Sequence, residues 1–299
     1  LIGRGDGSPE SVRLKVVMDG LSAPVDVAFH PDRSELWVID RDEDSIVVVT
    51  DFGGEDQSAR VFKDPARLHF MHKPPAMAFG AANTWATCGD NDNGGNDFMG
   101  PALFSADLEV LATQNDETGL GSHLDMLHST TYCRGIAHEK ANIYWVYNSN
   151  QGSLDRYDFK ADHGPGWDDH SDGEIYRYAD GSMVGVEGTS SHLVFHGGYV
   201  YVADTGNQRV ARLDPATATE GGAFAGPEPA KRRMMEGGEL VDIVPPGTFE
   251  APSGLEIFDG VLYVGDAAQS RFYAFDLQGK LLRTLDTGLP PGSLGGMAL

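Results

Sequence analysis

Residues 199–213 read YVYVADTGNQRVARL. Apolar and polar side chains alternate on both sides of an Asp-Thr-Gly-Asn turn, the pattern of two half-buried strands joined by a polar hairpin. Working outward, the same shape recurs five times: a short apolar strand, a turn, a second strand ending near Asp or Asn, a polar turn and a third strand. The five copies span residues 25–50, 76–108, 135–159, 192–214 and 254–276. Aligned on one apolar position of the first strand, they place Val27, Met77, Ile136, Leu193 and Leu255 in register, and Met297 in the C-terminal GGMAL makes a sixth. The separations are 50, 59, 57, 62 and 42 residues, and no 3.6-residue periodicity fills the gaps. A strand-only repeat of this length is the signature of propeller blades, each a four-stranded antiparallel sheet around a central channel. The chain is therefore expected to be all-β, a single six-bladed β-propeller over residues 1–299. Residues 13–18 (RLKVVM) match the fourth-strand stretch 280–285 (KLLRTL), so the N-terminus is expected to supply the outer strand of the sixth blade and the C-terminus its inner strand. The two middle strands are missing from the text, so either the chain has been cut short or the closing blade is irregular.

Composition narrows the function. The 299 residues carry 45 Asp+Glu against 22 Lys+Arg, a net charge of −23, a field that repels nucleic-acid phosphates and anionic lipid. No apolar run is long enough to span a membrane. The chain begins at Leu1, for which a removed signal peptide is the simplest account and a chain trimmed at its start the other, and a secreted or periplasmic location is expected. Cys88 and Cys133, the only cysteines, are expected to form a disulfide, with thiolate metal ligation as the alternative.

The stretches 201–210 (YVADTGNQRV) and 262–272 (LYVGDAAQSRF) resemble the NHL repeat, a family of propeller blades. The arrangement is distantly similar to the peptide-amidating lyases, six-bladed propellers of that type. That resemblance implies zinc held by channel-facing histidines in Pro-His-X openings, with Tyr and Arg assisting. Here the corresponding places read Val25, Arg134 and Ser253, so the resemblance carries metal use but not the substrate.

The residues themselves point the same way. If the inner strand of each blade starts at the top face, the loops between blades lie there too. Three of these loops are rich in histidine: residues 68–75 (LHFMHKPP), 122–128 (SHLDMLH) and 190–192 (SSH). His69 and His128 each lie seven residues before the channel-mouth positions Ala76 and Gly135, and His192 occupies such a position itself. Three neutral imidazoles with a fourth position open suit Zn or Cu. His69, His128 and His192 are the expected ligands. His123 is a substitute for His128, Asp125 a carboxylate orienting an imidazole, and His72 a reserve. Met71 and Met126 lie in the same loops, and Arg134 and Tyr132 are the expected catalytic pair, holding an anionic group and moving a proton. His30, His138 and His196 read as surface residues or hydrogen-bond posts.

Two acidic stretches offer a structural Ca2+. Residues 90–94 (DNDNG) lack the distant Glu of an EF-hand, where Pro101 stands. Residues 163–173 (HGPGWDDHSDG) are dense in ligand types, fall between third and fourth strands and so belong to the bottom face; an Asx-rich loop bonded to itself is the other reading. Arg4-Gly5-Asp6 and Lys231-Arg232-Arg233 read as a chance tripeptide and a solvated loop. The expected function is a metal-dependent lyase or hydrolase, or a copper oxidoreductase, acting on a small molecule or peptide. A non-catalytic copper-binding or protein-interaction propeller is the alternative.

Overall fold

The computed structural model describes residues 7–11, 13–92 and 98–299. It is a β-propeller of five blades. Blade one is β1 (Pro24–Phe29), β2 (Glu35–Asp40), β3 (Ser45–Thr50) and β4 (Ser58–Phe62). A one-turn helix α1 (Arg67–Phe70) leads to blade two: β5 (Met77–Phe79), β6 (Thr84–Cys88), β7 (Pro101–Ser105) and β8 (His123–Met126). Blade three is β9 (Cys133–Lys140), β10 (Ile143–Asn148), β11 (Ser153–Asp158) and β12 (Glu174–Tyr178). Blade four starts with β13 (Leu193–His196), β14 (Tyr199–Asp204) and β15 (Arg209–Leu213). The chain then leaves blade four. Its next two strands, β16 (Thr219–Glu220) and β17 (Lys231–Glu236), extend blade three, with β17 running parallel to β12. It returns as β18 (Leu240–Val244) to complete blade four. Blade five is β19 (Pro252–Phe258), β20 (Val261–Asp266), β21 (Arg271–Asp276) and β22 (Leu281–Asp286).

Residues 199–213 form the β14–β15 hairpin, with Val200 opposite Leu213 and Asp204 opposite Arg209. The Asp204 carboxylate closes the turn by accepting from Asn207 Nδ2 and Arg209 Nε, both at 2.8 Å. The strands are buried on both faces rather than one. Val200, Val202, Ala211 and Leu213 pack with Trp145 and Tyr147 of blade three, while Tyr201, Ala203 and Val210 pack with Val264 and Phe275 of blade five. Alternation therefore sorts side chains between two neighbouring blades, not between core and water. The same holds around the ring, as at the edge-to-face Trp37–Trp85 contact between blades one and two (5.7 Å).

The expected sixth blade is not formed. Residues 13–18 and 296–299 lie in the wedge between blades five and one, but neither is a strand. Val17 and Met18 cover the outer face of blade one beside Val38, Val47 and Val49. Gly296 donates one backbone bond to Val25 and Asp286 donates one to Gly7. Without the two middle strands, neither segment has a ladder to join, and both settle as coil against the blades that flank the gap.

Candidate metal centre

The repeat register locates the channel. A cavity of about 360 Å³ on the axis is lined by all six aligned residues: Val27, Met77, Ile136, Leu193, Leu255 and Met297. At its mouth Asp26 accepts from the Met77 and Val27 amides, both at 2.8 Å, and its Oδ1 lies 3.6 Å from His192 Nδ1. Burial pushes the Asp26 carboxyl above its usual range, against the pull of the nearby His192 ring. His192 thus lies beside a buried carboxylate on the axis, with its Nε2 buried and without a partner. Among the described residues, no group of three ligand atoms within 4.8 Å of one another includes it.

The other expected histidines come together elsewhere, on the seam between blades two and three. β8 is the outermost strand of blade two, and it carries His123 with His128 just beyond its end. The loop joining β11 to β12 lies against it. His163 N donates to the Leu124 carbonyl at 3.1 Å, and Gly166 N to the His123 carbonyl at 2.7 Å. Gly166 makes this docking possible, because it holds φ +76° and a Cβ there would sit 2.8 Å from the Gly121 oxygen. The 163–173 loop, expected to stand apart on the bottom face, therefore delivers His163, Asp168, His170 and Asp172 to the histidines of blade two. Helix α1 adds His69, whose ring is 5.7 Å from that of His128. The excursion of blade four adds Glu228.

Each imidazole is oriented by a second group. His123 Nδ1 donates to the Leu120 carbonyl at 2.9 Å, which leaves Nε2 facing Asp168 Oδ2 at 3.3 Å. With Nδ1 engaged by Leu120, Nε2 is the ring nitrogen that His123 presents to the carboxylate. His128 Nδ1 donates to Glu228 Oε2, and Glu228 Oε1 accepts from the His128 amide at 3.0 Å. Arg232 holds the same carboxylate from behind at 2.7 Å. His128 Nε2 is then the free lone pair; it is buried and has no partner, and neither has His170 Nε2, which lies 3.8 Å from Asp168 Oδ2. The carboxylate–histidine contact that fixes the tautomer is the arrangement metal-bound histidines use.

Electrostatics favour a cation here. Burial, with the neighbouring His128 and His123 rings adding to it, lowers the His69 imidazole to about 4. Burial also lowers His170. These rings stay neutral and able to ligate at ordinary pH. Asp168 is held below its usual range, first by the His123 ring beside it. Burial pushes Glu228 up, but its bonds to His128 and its Arg232 neighbour outweigh this and leave it lowered. His128, His170 and Glu228 each place a ligand atom within 4.8 Å of the others, and so do Asp125, His163 and Asp172. Phe98 stacks on His128 at 4.0 Å and Phe70 on His123 at 3.6 Å, so the rings are held by packing as well.

The expected catalytic pair is engaged by other partners where blades two and three meet. Arg134 is buried and its Nη1 donates to Asp90, which also pairs with Arg41 at 2.8 Å; Asp26 and Asp125, the partners open to it in sequence, are not involved. Tyr132 is half-exposed and its hydroxyl donates to Asp92 at 2.9 Å. The acidic stretch at residues 90–94 is thus engaged by Arg41, Arg134 and Tyr132 through Asp90 and Asp92, while Asn93 and Gly94, like Arg4-Gly5-Asp6, lie outside the described residues. Cys88, ending β6, and Cys133, starting β9, form a disulfide between blades two and three with Cα atoms 6.0 Å apart. His72 Nδ1 is 3.2 Å from Asp44, and His30 Nδ1 accepts from two backbone amides. Met71 and Met126 are buried in the core between blades one and two, not at the histidines. Lys231, Arg232 and Arg233 form β17 rather than a loop.

Sequence reasoning missed Asp168, His170 and Glu228 as members of the histidine cluster. For the first two the signal was present in the density of ligand types at residues 163–173. Glu228 had none, since its position follows from the parallel pairing of β17 with β12.

No family model and no curated protein matches the chain. Among described residues, no helix is long and apolar enough to cross a membrane. Solved structures do match. A chain of a nidogen/laminin complex is 15% identical over 88% of this chain and 79% of that one, with a TM-score of 0.56. A streptogramin B lyase is 14% identical over 93% and 72%, TM-score 0.53. A luciferin-regenerating enzyme is 11% identical over 92% and 78%, TM-score 0.53. Proteins so different in what they do have the architecture in common and nothing finer. The chain is, on its own topology and on these likenesses, a β-propeller.

Proposed function

We propose that the protein is a metal-binding propeller whose centre is the seam between blades two and three, with Zn2+ or Cu2+ held by His123, His128, His170 and Asp168. His69 covers the site. The observation that carries this reading is the pair of buried, unpartnered Nε2 atoms of His128 and His170 beside Asp168, with His123 aimed at the same carboxylate. An ion bound at about 2.0–2.1 Å keeps its ligand atoms within roughly 4 Å of one another; His123 at 3.3 Å and His170 at 3.8 Å each stand at such a spacing from Asp168, and His128, His170 and Glu228 place their ligand atoms within 4.8 Å of one another.

With three of these residues as ligands and the fourth position left to water or substrate, such an ion would act as a Lewis acid toward the bound oxygen, the chemistry of a metal-dependent hydrolase or lyase. The chain's own residues would contribute a neutral His69 ring beside His128, and Arg232 with Glu228 holding His128 in place. The exposed Phe98, Trp167 and Leu120 nearby offer apolar surface to a small-molecule or peptide substrate. A disulfide joining two blades supports folding in an oxidising compartment, hence an exported protein. Elemental analysis of the protein purified without added metal should give about one Zn or Cu per chain. His128→Ala or His170→Ala should remove it, and His192→Ala should not. Metal content that survives the seam variants but not His192→Ala would move the site to the channel.

A further inference from the structure

We infer that a second divalent cation, harder than the first, binds beside it between Asp125, His163 and Asp172. The inference rests on reading the seam as a metal centre and extends it to a two-ion one. All three side chains have the same construction, with one point anchored and one ligand atom left over. Asp125 Oδ1 accepts from the Met126 amide at 2.8 Å, while Oδ2 has no partner on a side chain with 0% exposure. Asp172 Oδ2 receives the Ala161 amide at 3.5 Å, while Oδ1 is buried and free. His163 is fixed through its backbone bond to Leu124, and its Nε2 is buried and free.

The three leftover atoms face one another. His163 Nε2 is 4.0 Å from Asp125 Oδ2 and 3.7 Å from Asp172 Oδ1, spacings that a shared cation at about 2.1 Å from each atom allows, and all three atoms lie within 4.8 Å of one another. Among the described residues neither carboxylate pairs with a lysine or arginine, so no side-chain cation of the protein competes for these oxygens. A divalent ion balances two carboxylates. The ligand set also selects the ion. Ca2+ takes six to eight oxygens, whereas this pocket offers two carboxylates and an imidazole, which suits Mn2+ or a similar first-row ion. The nitrogen-rich group next to it suits Zn2+ or Cu2+. Because Asp168 and His170 sit on the same loop as His163 and Asp172, the second ion would clamp that loop to β8 and so position two ligands of the first.

The test uses the full chain stripped with a chelator and Mn2+ as the probe, with free Mn2+ followed by electron paramagnetic resonance and bound Zn2+ by elemental analysis. The unaltered protein should bind one Mn2+ tightly in the presence of one equivalent of Zn2+. Asp172→Asn, on a partly exposed loop residue, should weaken Mn2+ at least tenfold and leave Zn2+ bound, with an unchanged circular dichroism spectrum. A His128→Gln, His170→Gln double variant should lose Zn2+ and keep Mn2+. Mn2+ binding that is absent from the unaltered protein, or that Asp172→Asn and Asp125→Asn both leave unchanged, overturns the inference. Retention of Zn2+ by the double histidine variant instead overturns the first site and leaves the second standing.

Discussion

Asp125→Asn should make the metal-free protein more stable and the metal-loaded protein less so. The carboxyl of Asp125 is enclosed, and burial is the largest cause of its rise from 3.8 to about 9; Asp172, Asp168 and Asp169 add to it against the Met126 amide. A group raised in the folded state keeps a proton that the unfolded chain releases. Folding stability is therefore whole below about pH 4 and is lost progressively as pH rises toward 9. At pH 7 the loss comes to roughly 4 kcal/mol, a large part of the 5–15 kcal/mol that holds a typical domain together. Asparagine has no charge to lose and can donate to the His163 lone pair. In chelator, urea unfolding followed by tryptophan fluorescence should show the unaltered protein weakening from pH 5 to pH 8, while the variant stays level and becomes the more stable of the two. Mn2+ at a hundredfold excess over its dissociation constant should restore about 2.7 kcal/mol to the unaltered protein and almost nothing to the variant. A variant weaker than its parent in chelator at pH 8, or two proteins equally stabilised by Mn2+, would refute the reasoning.

Other outcomes follow from the same contacts. His69, lowered by burial to about 4, binds fewer protons folded than unfolded between that value and 6.5, so stability should fall as pH drops through the window; His69→Gln should flatten the corresponding part of a stability-versus-pH curve. Replacing both Cys88 and Cys133 with serine opens a cross-link 45 residues apart, and chain entropy sets the cost at up to about 4 kcal/mol in a urea titration. Asp155 carries the buried Arg177 (2.8 Å) and, through Asn148, the Ser129 carbonyl next to His128. Asp155→Ala should cost roughly 3–5 kcal/mol and weaken Zn2+ binding as well, whereas an equally destabilising change in blade five should leave the metal in place.

How far the residues could be read depended on how local the determining contact was. The β14–β15 hairpin was legible because Asp204, Asn207 and Arg209 bind one another within six positions. The channel was legible because a repeat places Val27, Met77, Ile136, Leu193, Leu255 and Met297 alike. The blade count was not. A match between residues 13–18 and a fourth strand says what the segment could pair with, but a ladder also needs the middle strands, and none are there. His69, His123 and His128 were picked out by their place in the loops between blades, and all three line the contact of blades two and three, with the His69 and His128 rings 5.7 Å apart. His192 was picked out by the same logic, but it stands beside Asp26 on the axis, its Nδ1 3.6 Å from the carboxylate. The rest of the seam depends on contacts that no repeat encodes: a loop between third and fourth strands folding back along β8, and a strand of blade four crossing to pair in parallel with β12.

The most direct measurement is anomalous diffraction at the zinc and copper edges from crystals of the protein purified without added metal. The account predicts a peak within bonding distance of His128 Nε2, His170 Nε2 and Asp168 Oδ2. A peak on the axis between His192 and Asp26, or coordination by Arg134's neighbours Asp90 and Asp92 in place of the histidines, would contradict it.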